Sequence, residues 1–498
     1  MNVLLVYPEY PKTFWSFKDS LKFVFRKAAF PPLGLLTVAA MLPVQWNKKL
    51  ADENVAKVTD EQLAWADMVF VSAMIVQQEA ARAIIARCKR LAKIVVAGGP
   101  LFSAQPEKFP LVDHLFLGEA EITLSIFLKD WSEGHAKSRY VSMVWPDITQ
   151  TPIPMWSLVR LRDYATLLVQ YSRGCPFDCE FCDITVMNGR NPRVKNKGQM
   201  LAEMQALYDL GWRGTVFIVD DNFIGNKREV RKMLPELIAW QKANHYPFKF
   251  LTEASVNLAY DEELMSLMSI ANFGDVFLGL ETPCNDSLKE AGKTQNVGKD
   301  LREAVVQLQN HGLHVMGGFM VGFDHDNPDT IFRDQLKFIQ SAGVPVAMIG
   351  TVTALPGTRL WHRLREEGRL LSEASGNNTA GETNFEPTMG MTTLVAGYHD
   401  LLLSLYSAKN YFARIETMVE NYRSHIVSRH CSWRDAMAFV RSMWDIGVVS
   451  QARWRYWRLL AKTSLTNIKA LPVAIRLAIY FVHFNGVALA LSVQPANE

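Results

Sequence analysis

Through the first 145 residues, short apolar runs alternate with stretches whose apolar positions recur every three to four residues. That is the pattern of a parallel β-sheet covered by helices on both faces. It predicts strands over Val3–Tyr7, Lys49–Asp52, Met68–Ser72, Ile94–Ala97 and His114–Leu117, with helices over Leu33–Leu42, Gln77–Leu91 and Glu121–Asp130. Ser72 ends the third strand, Gly98-Gly99 follows the fourth and Gly118-Glu119 follows the fifth. Such turns lie at the carboxyl edge of the sheet, where open α/β folds bind ligands and where glycine lets the backbone approach closely. Pro146, Pro152 and Pro154 then stiffen an extended segment, placing a linker over 146–165 and closing a first domain at 1–145.

A second series of βα units follows, with strands predicted over Thr166–Tyr171, Thr215–Val219, Phe248–Glu253, Val276–Glu281, His314–Val321 and Val346–Ala354. Helical patterns over Gln199–Leu210, Glu229–Lys242, Asp261–Ile270, Lys299–Asn310 and Asp329–Ser341 separate them. Six units are fewer than the eight that close a full barrel, so residues 166–365 read as a partial, laterally open (β/α)6 barrel. From 366 to 498 the strand signals give way to helical patterns carrying Trp and Tyr.

Composition narrows the function classes. The 498 residues are 49% hydrophobic and 21% charged, which excludes a disordered chain and a many-span membrane protein. With 53 Lys and Arg against 50 Asp and Glu, nucleic acid is not the expected partner. The start Met1-Asn2-Val3-Leu4 has no basic n-region and reads as a strand, not a signal peptide. Six cysteines, three of them crowded into one loop, fit a reducing cytoplasm better than a disulfide framework.

That loop is the main chemical signal. Directly after the first barrel strand comes Arg173-Gly174-Cys175-Pro176-Phe177-Asp178-Cys179-Glu180-Phe181-Cys182, with spacing C-x3-C-x2-C. Three soft thiolates converging on one centre select zinc, copper(I) or an iron–sulfur cluster. Structural zinc wants four protein ligands and no second Cys or His pair lies nearby, whereas a cluster held by three cysteines leaves one iron open.

Cys175, Cys179 and Cys182, with the aromatic Phe181 before the last and six βα units around them, resemble the radical SAM enzymes. The resemblance implies that the three thiolates hold a [4Fe–4S] cluster whose fourth iron binds S-adenosylmethionine. Reduction by a reductase, flavodoxin or ferredoxin then cleaves that cofactor to a deoxyadenosyl radical. It further implies that Asp220, Asp221 and Asn222 after the second strand contact the methionyl amino group and that Glu281 after the fourth holds ribose hydroxyls. Gly322 on the fifth unit and Pro356-Gly357 after the sixth correspond to the adenine side. The first domain resembles the cobalamin-binding domain that precedes such barrels, making Ser72, Gly98, Gly99, Gly118 and Glu119 candidate cobalamin contacts. An Asp-x-His-x-x-Gly motif is missing; Asp52-Glu53-Asn54-Val55-Ala56-Lys57 is its loose echo, so no protein histidine is expected beneath cobalt.

The domain order, with Tyr7-Pro8 and Pro31-Pro32-Leu33-Gly34 near the start, resembles the group that includes hopanoid C-2 methylases and anaerobic porphyrin ring cyclases. That implies a cobalamin-dependent radical SAM methyltransferase acting on a carbon centre of a hydrophobic small molecule. A radical cyclase or oxidative rearrangement enzyme is the second reading, and a non-catalytic cobalamin- or zinc-binding regulatory protein the third. In the tail, Trp454, Trp457, Ala461, Leu465 and Ile468 share one helical face beside a stripe of Arg455, Arg458, Lys462 and Lys469. That pattern suits a packed helical cap first and peripheral contact with the inner membrane face second. The uncharged run Leu477–Val493 falls short of a bilayer span. Cys88, Cys284 and Cys431 read as buried structural thiols, and His425, His430 and His483 as structural or surface residues.

Overall fold

The computed structural model describes residues 1–493 except 378, 380, 382, 426 and 428–432; His430 and Cys431 therefore lie outside the described residues. In chain order the strands are β1 (Asn2–Tyr7), β2 (Asn47–Asp52), β3 (Met68–Ser72), β4 (Ile94–Gly98), β5 (His114–Leu117) and β6 (Arg139–Val141). Next come β7 (Leu167–Val169), β8 (Ser172–Arg173), β9 (Arg193–Val194), β10 (Gly214–Ile218), β11 (Phe248–Ala254), β12 (Phe273–Glu281), β13 (His314–Val321) and β14 (Ala347–Thr351).

The first sheet is all-parallel in the order β2-β1-β3-β4-β5-β6. Alternate residues of each strand feed two separate apolar layers. Val69, Val71, Val95 and Ala97 pack on the helix Gln78–Arg90, while Phe70, Val96 and Phe116 pack on helices Leu33–Met41 and Ala120–Ser132. β6 gave no sequence signal because only three residues pair and two of them are exposed. The helices Asp60–Trp65 and Pro100–Ala104 are likewise too short for a readable period. Cys88 is buried in the first layer, as expected of a structural thiol, whereas Cys284 is only half-buried.

The second sheet is also parallel, in the sequential order β7-β10-β11-β12-β13-β14, and its edge strands β7 and β14 do not pair with each other. The partial barrel is thus open along one side. The first predicted barrel strand, Thr166–Tyr171, is shorter than expected: only Leu167–Val169 pairs in the barrel, and just beyond it Ser172-Arg173 pairs antiparallel with Arg193–Val194 around the cysteine loop.

The barrel is filled from both ends of the chain. Trp15, from the short helical turns after β1, lies against Phe217 of β10 and Phe277 of β12, with ring centroids 6.4 and 5.1 Å away. At the floor, Asp275 of β12 takes Lys249 of β11 (2.7 Å) and His314 Nδ1 of β13 (2.9 Å). It also takes both terminal nitrogens of Arg476 (2.8 and 2.5 Å). Arg476 sits on the last helix, Leu471–Val493, which packs among helices Met391–Tyr406, Ala408–Asn421 and Arg453–Thr466. By length and hydropathy this helix could cross a bilayer, but Ala474, Leu477, Ala478 and Phe484 are fully buried in the bundle. His483 on the same helix donates to the Thr13 carbonyl and is buried.

Candidate active site

The cysteine loop leaves the barrel mouth after β7 and is fastened on every side. Asp220, buried at the end of β10, accepts the Tyr171 N–H and the Ser172 hydroxyl, both at 2.7 Å. Asp221 accepts the Gly174 N–H (2.9 Å) and the Asn188 amide (3.0 Å). Asn222 directs its amide to the Cys175 sulfur at 3.9 Å and receives the Ser255 N–H on its oxygen. The Asp-Asp-Asn run expected at a methionyl amino group therefore braces the loop, and its two carboxylates are already engaged. Gly174 has φ +97°, and a Cβ there would lie 2.8 Å from the Gly189 carbonyl oxygen, so the sharp entry into the loop admits only glycine.

Farther along, Glu180 is buried and holds Arg363 at 2.6 Å, while its carbonyl accepts the Leu360 N–H. Both partners lie on the helix Arg359–Glu366, which is capped by Thr358 of the Leu355-Pro356-Gly357-Thr358 turn. A Cβ on Gly357 would lie 3.5 Å from Val186, on the short helix after the cysteines. Gly322 follows β13 with φ +100°, its N–H held by buried Asp326 at 2.9 Å. Phe181 faces Phe323, and the two rings are 6.2 Å apart. Pro356, Gly357, Gly322 and Phe181 thus come to one side of the loop.

Glu281 stands at the end of β12 with φ +62°, an unfavourable conformation for a non-glycine residue, beside an irregularity in the β12–β13 register. Its carboxylate is buried and paired at 2.5 Å with Lys293. The Lys293 ammonium also lies 5.8 Å from the Phe181 ring and feels the charges of Cys179 and Cys182. Three more residues complete the mouth. Gln295 reaches the Cys179 sulfur at 3.7 Å, Asn296 donates to the Gly279 and Leu280 carbonyls, and Glu253 ends β11. The side-chain oxygens of Gln295 and Asn296 are buried without partners among the described residues. Burial, reinforced by Asp221 and Asp220, pushes the Glu253 carboxyl up to about 8, and burial alone accounts for most of the rise of Asp220 to about 7. Sequence reasoning missed Lys293, Gln295, Asn296 and Glu253, because each lies outside the local cysteine motif and only the fold brings it back.

The donor set fits an iron–sulfur cluster. Cys179 is buried, Cys175 and Cys182 are half-buried, and burial raises the latter two thiols, which coordination would draw into the thiolate form. Among the described residues no three His, Cys, Asp or Glu side chains close into a cage for a single ion. Three cysteine thiols suit an iron–sulfur cluster, which three such ligands hold with one iron left open.

The carboxyl edge of the first sheet meets this mouth. Glu119 binds Arg173 (2.5 Å) and Arg193 (2.5 Å), and Glu121 binds Arg173 (2.7 Å), with all four side chains largely buried. Arg173 is two residues from Cys175, so the turn after β5 grips the base of the cysteine loop. Gly98 and Ser72 are ladder partners at the same edge, and a Cβ on Gly99, φ +98°, would lie 2.7 Å from the Ser72 hydroxyl. The Gly118 N–H donates to the Ser103 hydroxyl oxygen, and a Cβ on Gly118 would meet nothing within 4 Å. Asn54, where the missing motif would have its histidine, is tied to Pro8, Tyr10 and Asp52.

Family comparisons agree with this layout. Residues 26–128 match the B12 binding domain, 169–338 the Radical SAM superfamily and 358–494 a domain of unknown function. An uncharacterized methyltransferase of Synechocystis is 42% identical over 92% of this chain and 86% of its own length. The hopanoid C-2 methylase of Rhodopseudomonas palustris is 33% identical over 96% of this chain and 93% of its own. Among solved structures, the cobalamin-dependent S-adenosylmethionine radical enzyme OxsB superposes with a TM-score of 0.63 at 14% identity, covering 99% of this chain and 80% of that one. With its [4Fe–4S] cluster, S-adenosylmethionine and cobalamin as cofactors, the chain belongs to the cobalamin-dependent radical SAM methyltransferases.

Proposed function

We propose that the enzyme methylates a carbon centre of a hydrophobic small molecule, held where the carboxyl edges of its two sheets meet. The observation that carries this reading is the buried bridge from Glu119 and Glu121 to Arg173 and Arg193, which fixes the cysteine loop against the edge of the B12-binding domain. When bound, the cofactors supply the electron, the radical and the methyl group. The chain's own residues position them and keep water away.

Cys175, Cys179 and Cys182 are assigned as cluster ligands, with Phe181 covering one flank. Glu281 takes the ribose hydroxyls, leaving Lys293 to balance the thiolate charge. Gly322, Pro356 and Gly357 line the adenine side. Asp220, Asp221 and Asn222 hold the loop's shape, and the unpartnered carboxyl of Glu253 is the one an incoming ammonium would satisfy. Ser72, Gly98, Gly99 and the Gly118 backbone are assigned to cobalamin, while the Glu119 side chain serves the bridge. The division into a cobalamin module (1–145), linker (146–165), barrel (166–365) and helical module (366–498) follows from these roles. We place the enzyme in the cytoplasm, supplied by a reductase, flavodoxin or ferredoxin and working from the inner membrane face. The relative in Rhodopseudomonas, a hopanoid methylase, supports an apolar substrate, as do Trp15, Phe217 and Phe277 beneath the mouth.

Anaerobic incubation with S-adenosylmethionine, cobalamin, a reductant and candidate apolar substrates tests the proposal. Deoxyadenosine, S-adenosylhomocysteine and a product heavier by one methylene are expected. Deoxyadenosine with a cyclised or rearranged product of unchanged carbon count would replace methyl transfer by the cyclase reading.

A further inference from the structure

The helical tail carries apolar side chains on its outer face as well as its inner one. On the helix Trp433–Trp444, Ala438 and Ser442 are buried, with Ser442 bonded to the Tyr456 hydroxyl at 2.7 Å, and Phe439 and Met443 pack half-buried against the core. The outward positions are Trp433, Met437, Val440 and Trp444, spaced i, i+4, i+7 and i+11 along one face, and the two tryptophans are 66% and 63% exposed. Val448 and Val449 continue the face through the turn Asp445–Val449, where the Trp457 indole N–H is fixed to the Gly447 carbonyl at 2.9 Å. The next helix, Arg453–Thr466, packs through Tyr456, Leu459, Leu460 and Thr463 and leaves Trp454 77% and Leu465 87% exposed. Phe25, from the N-terminal segment, extends the patch by stacking on Trp433. Scattered apolar residues on a surface need no explanation; a contiguous tryptophan face does.

The charge around this face points to its occupant. Between residues 433 and 469 there are seven basic side chains and two acidic ones, a net of +5. Arg458 and Lys462 are drawn to Glu416, and Arg441 to Asp445. Arg453, Arg455 and Lys469 have no acidic partner among the described residues and flank Trp454 and Ile468. Indole rings seek the boundary between headgroup and acyl chain, and Lys and Arg beside them are attracted by anionic lipid.

We propose that the two helices Trp433–Trp444 and Arg453–Thr466 lie flat on an anionic phospholipid surface, with Trp433, Trp444 and Trp454 inserted and Arg453, Arg455 and Lys469 at the phosphates. The buried last helix does not enter the bilayer. This gives a surface to the peripheral location proposed above, but it stands on exposed residues remote from the cysteine loop.

The test is co-sedimentation of the full-length protein with vesicles of phosphatidylglycerol and phosphatidylethanolamine, against vesicles of phosphatidylcholine alone. Binding to the anionic vesicles that weakens with salt is expected, accompanied by a blue shift of tryptophan emission. W444S/W454S should weaken it about tenfold or more, and R453Q/R455Q should remove most of the salt dependence. Both variants change exposed side chains only, so wild-type thermal unfolding is expected. Anaerobic deoxyadenosine formation should also be unchanged, which separates failure of the docking surface from failure of the enzymatic reading. No binding to anionic vesicles, or equal binding by W444S/W454S, overturns the proposal. So does self-association without vesicles that W444S/W454S abolishes while vesicle binding is absent, since the face would then cover a second copy of the chain.

Discussion

The two ends of the barrel hold polar clusters that differ in how far they satisfy themselves. At the floor, Asp275 is surrounded by Arg476, Lys249 and His314, and these partners hold its carboxyl well below the usual carboxylate range. Burial beside Arg476 brings Lys249 down to about 8. At the mouth, burial beside Asp221 and Asp220 pushes the Glu253 carboxyl up to about 8, and the oxygens of Gln295 and Asn296 have no partner among the described residues. The floor too leaves one buried atom, His314 Nε2, without a partner among the described residues, but its charges are matched. A cluster whose charges cancel is structure, and one left with an uncompensated carboxyl and a strained Glu281 is a place where ligands complete the bonding.

The sharpest way to break that contrast is to strip the mouth. Cys179→Ala should abolish the visible absorption of the cluster and reduce deoxyadenosine formation to background, with iron falling from about four atoms per chain. Denaturant unfolding of the metal-free chain should stay near wild type. Stripping the floor should do the reverse. Arg476→Met removes the main partner of a buried carboxylate and should cost about 3–5 kcal/mol in chemical denaturation. The folded fraction should keep an unaltered cluster spectrum. A folded Arg476→Met protein that cannot hold iron would erase the distinction.

Between the extremes lies the bridge joining the two modules. Glu119→Gln leaves Arg193 buried without its charge partner, while Glu121 still holds Arg173. Iron content and cobalamin absorbance should persist, and methylated product per deoxyadenosine should drop about tenfold, as expected when reacting groups lose their alignment. The smallest effect concerns pH. Glu253 moves from its ordinary 4.5 to about 8, so between those values the folded protein keeps a proton that the unfolded chain has lost. Stability of the cofactor-free protein should therefore fall as pH rises through this window, by at most about 1.4 kcal/mol per pH unit. Glu253→Gln should flatten the slope, leaving the smaller fall due to Asp220.

Much of this layout was legible in the chain because it is written locally. His314–Val321 is the observed β13 to the residue, and the other predicted barrel strands overlap β7, β10, β11, β12 and β14. Each alternates a helix-facing apolar residue with one pointing into the barrel. Cys175, Cys179 and Cys182 needed only seven residues of spacing to identify. Lys293 and Glu253 became visible only when separate strand ends converged. The carboxylates of Asp220 and Asp221 were legible as residues, but their use was not, since nothing local says that they bind backbone N–H groups of another strand. In the tail, the periodicity grouped Trp454 with Leu465 and Ile468 correctly. Which face looks outward depended on Tyr456, Leu459 and Leu460 winning the packing against neighbouring helices.

The Arg476–Asp275 pair also sets a schedule. The carboxylate is made 201 residues before the guanidinium that seals it. At ordinary rates of translation, the nascent barrel waits roughly 10 to 40 s with its base unsealed. Until then Lys249, joined by His314 once it is made, is what faces Asp275, and the arrival of the final helix is the event that converts a chain still being made into a finished vessel for its cofactors.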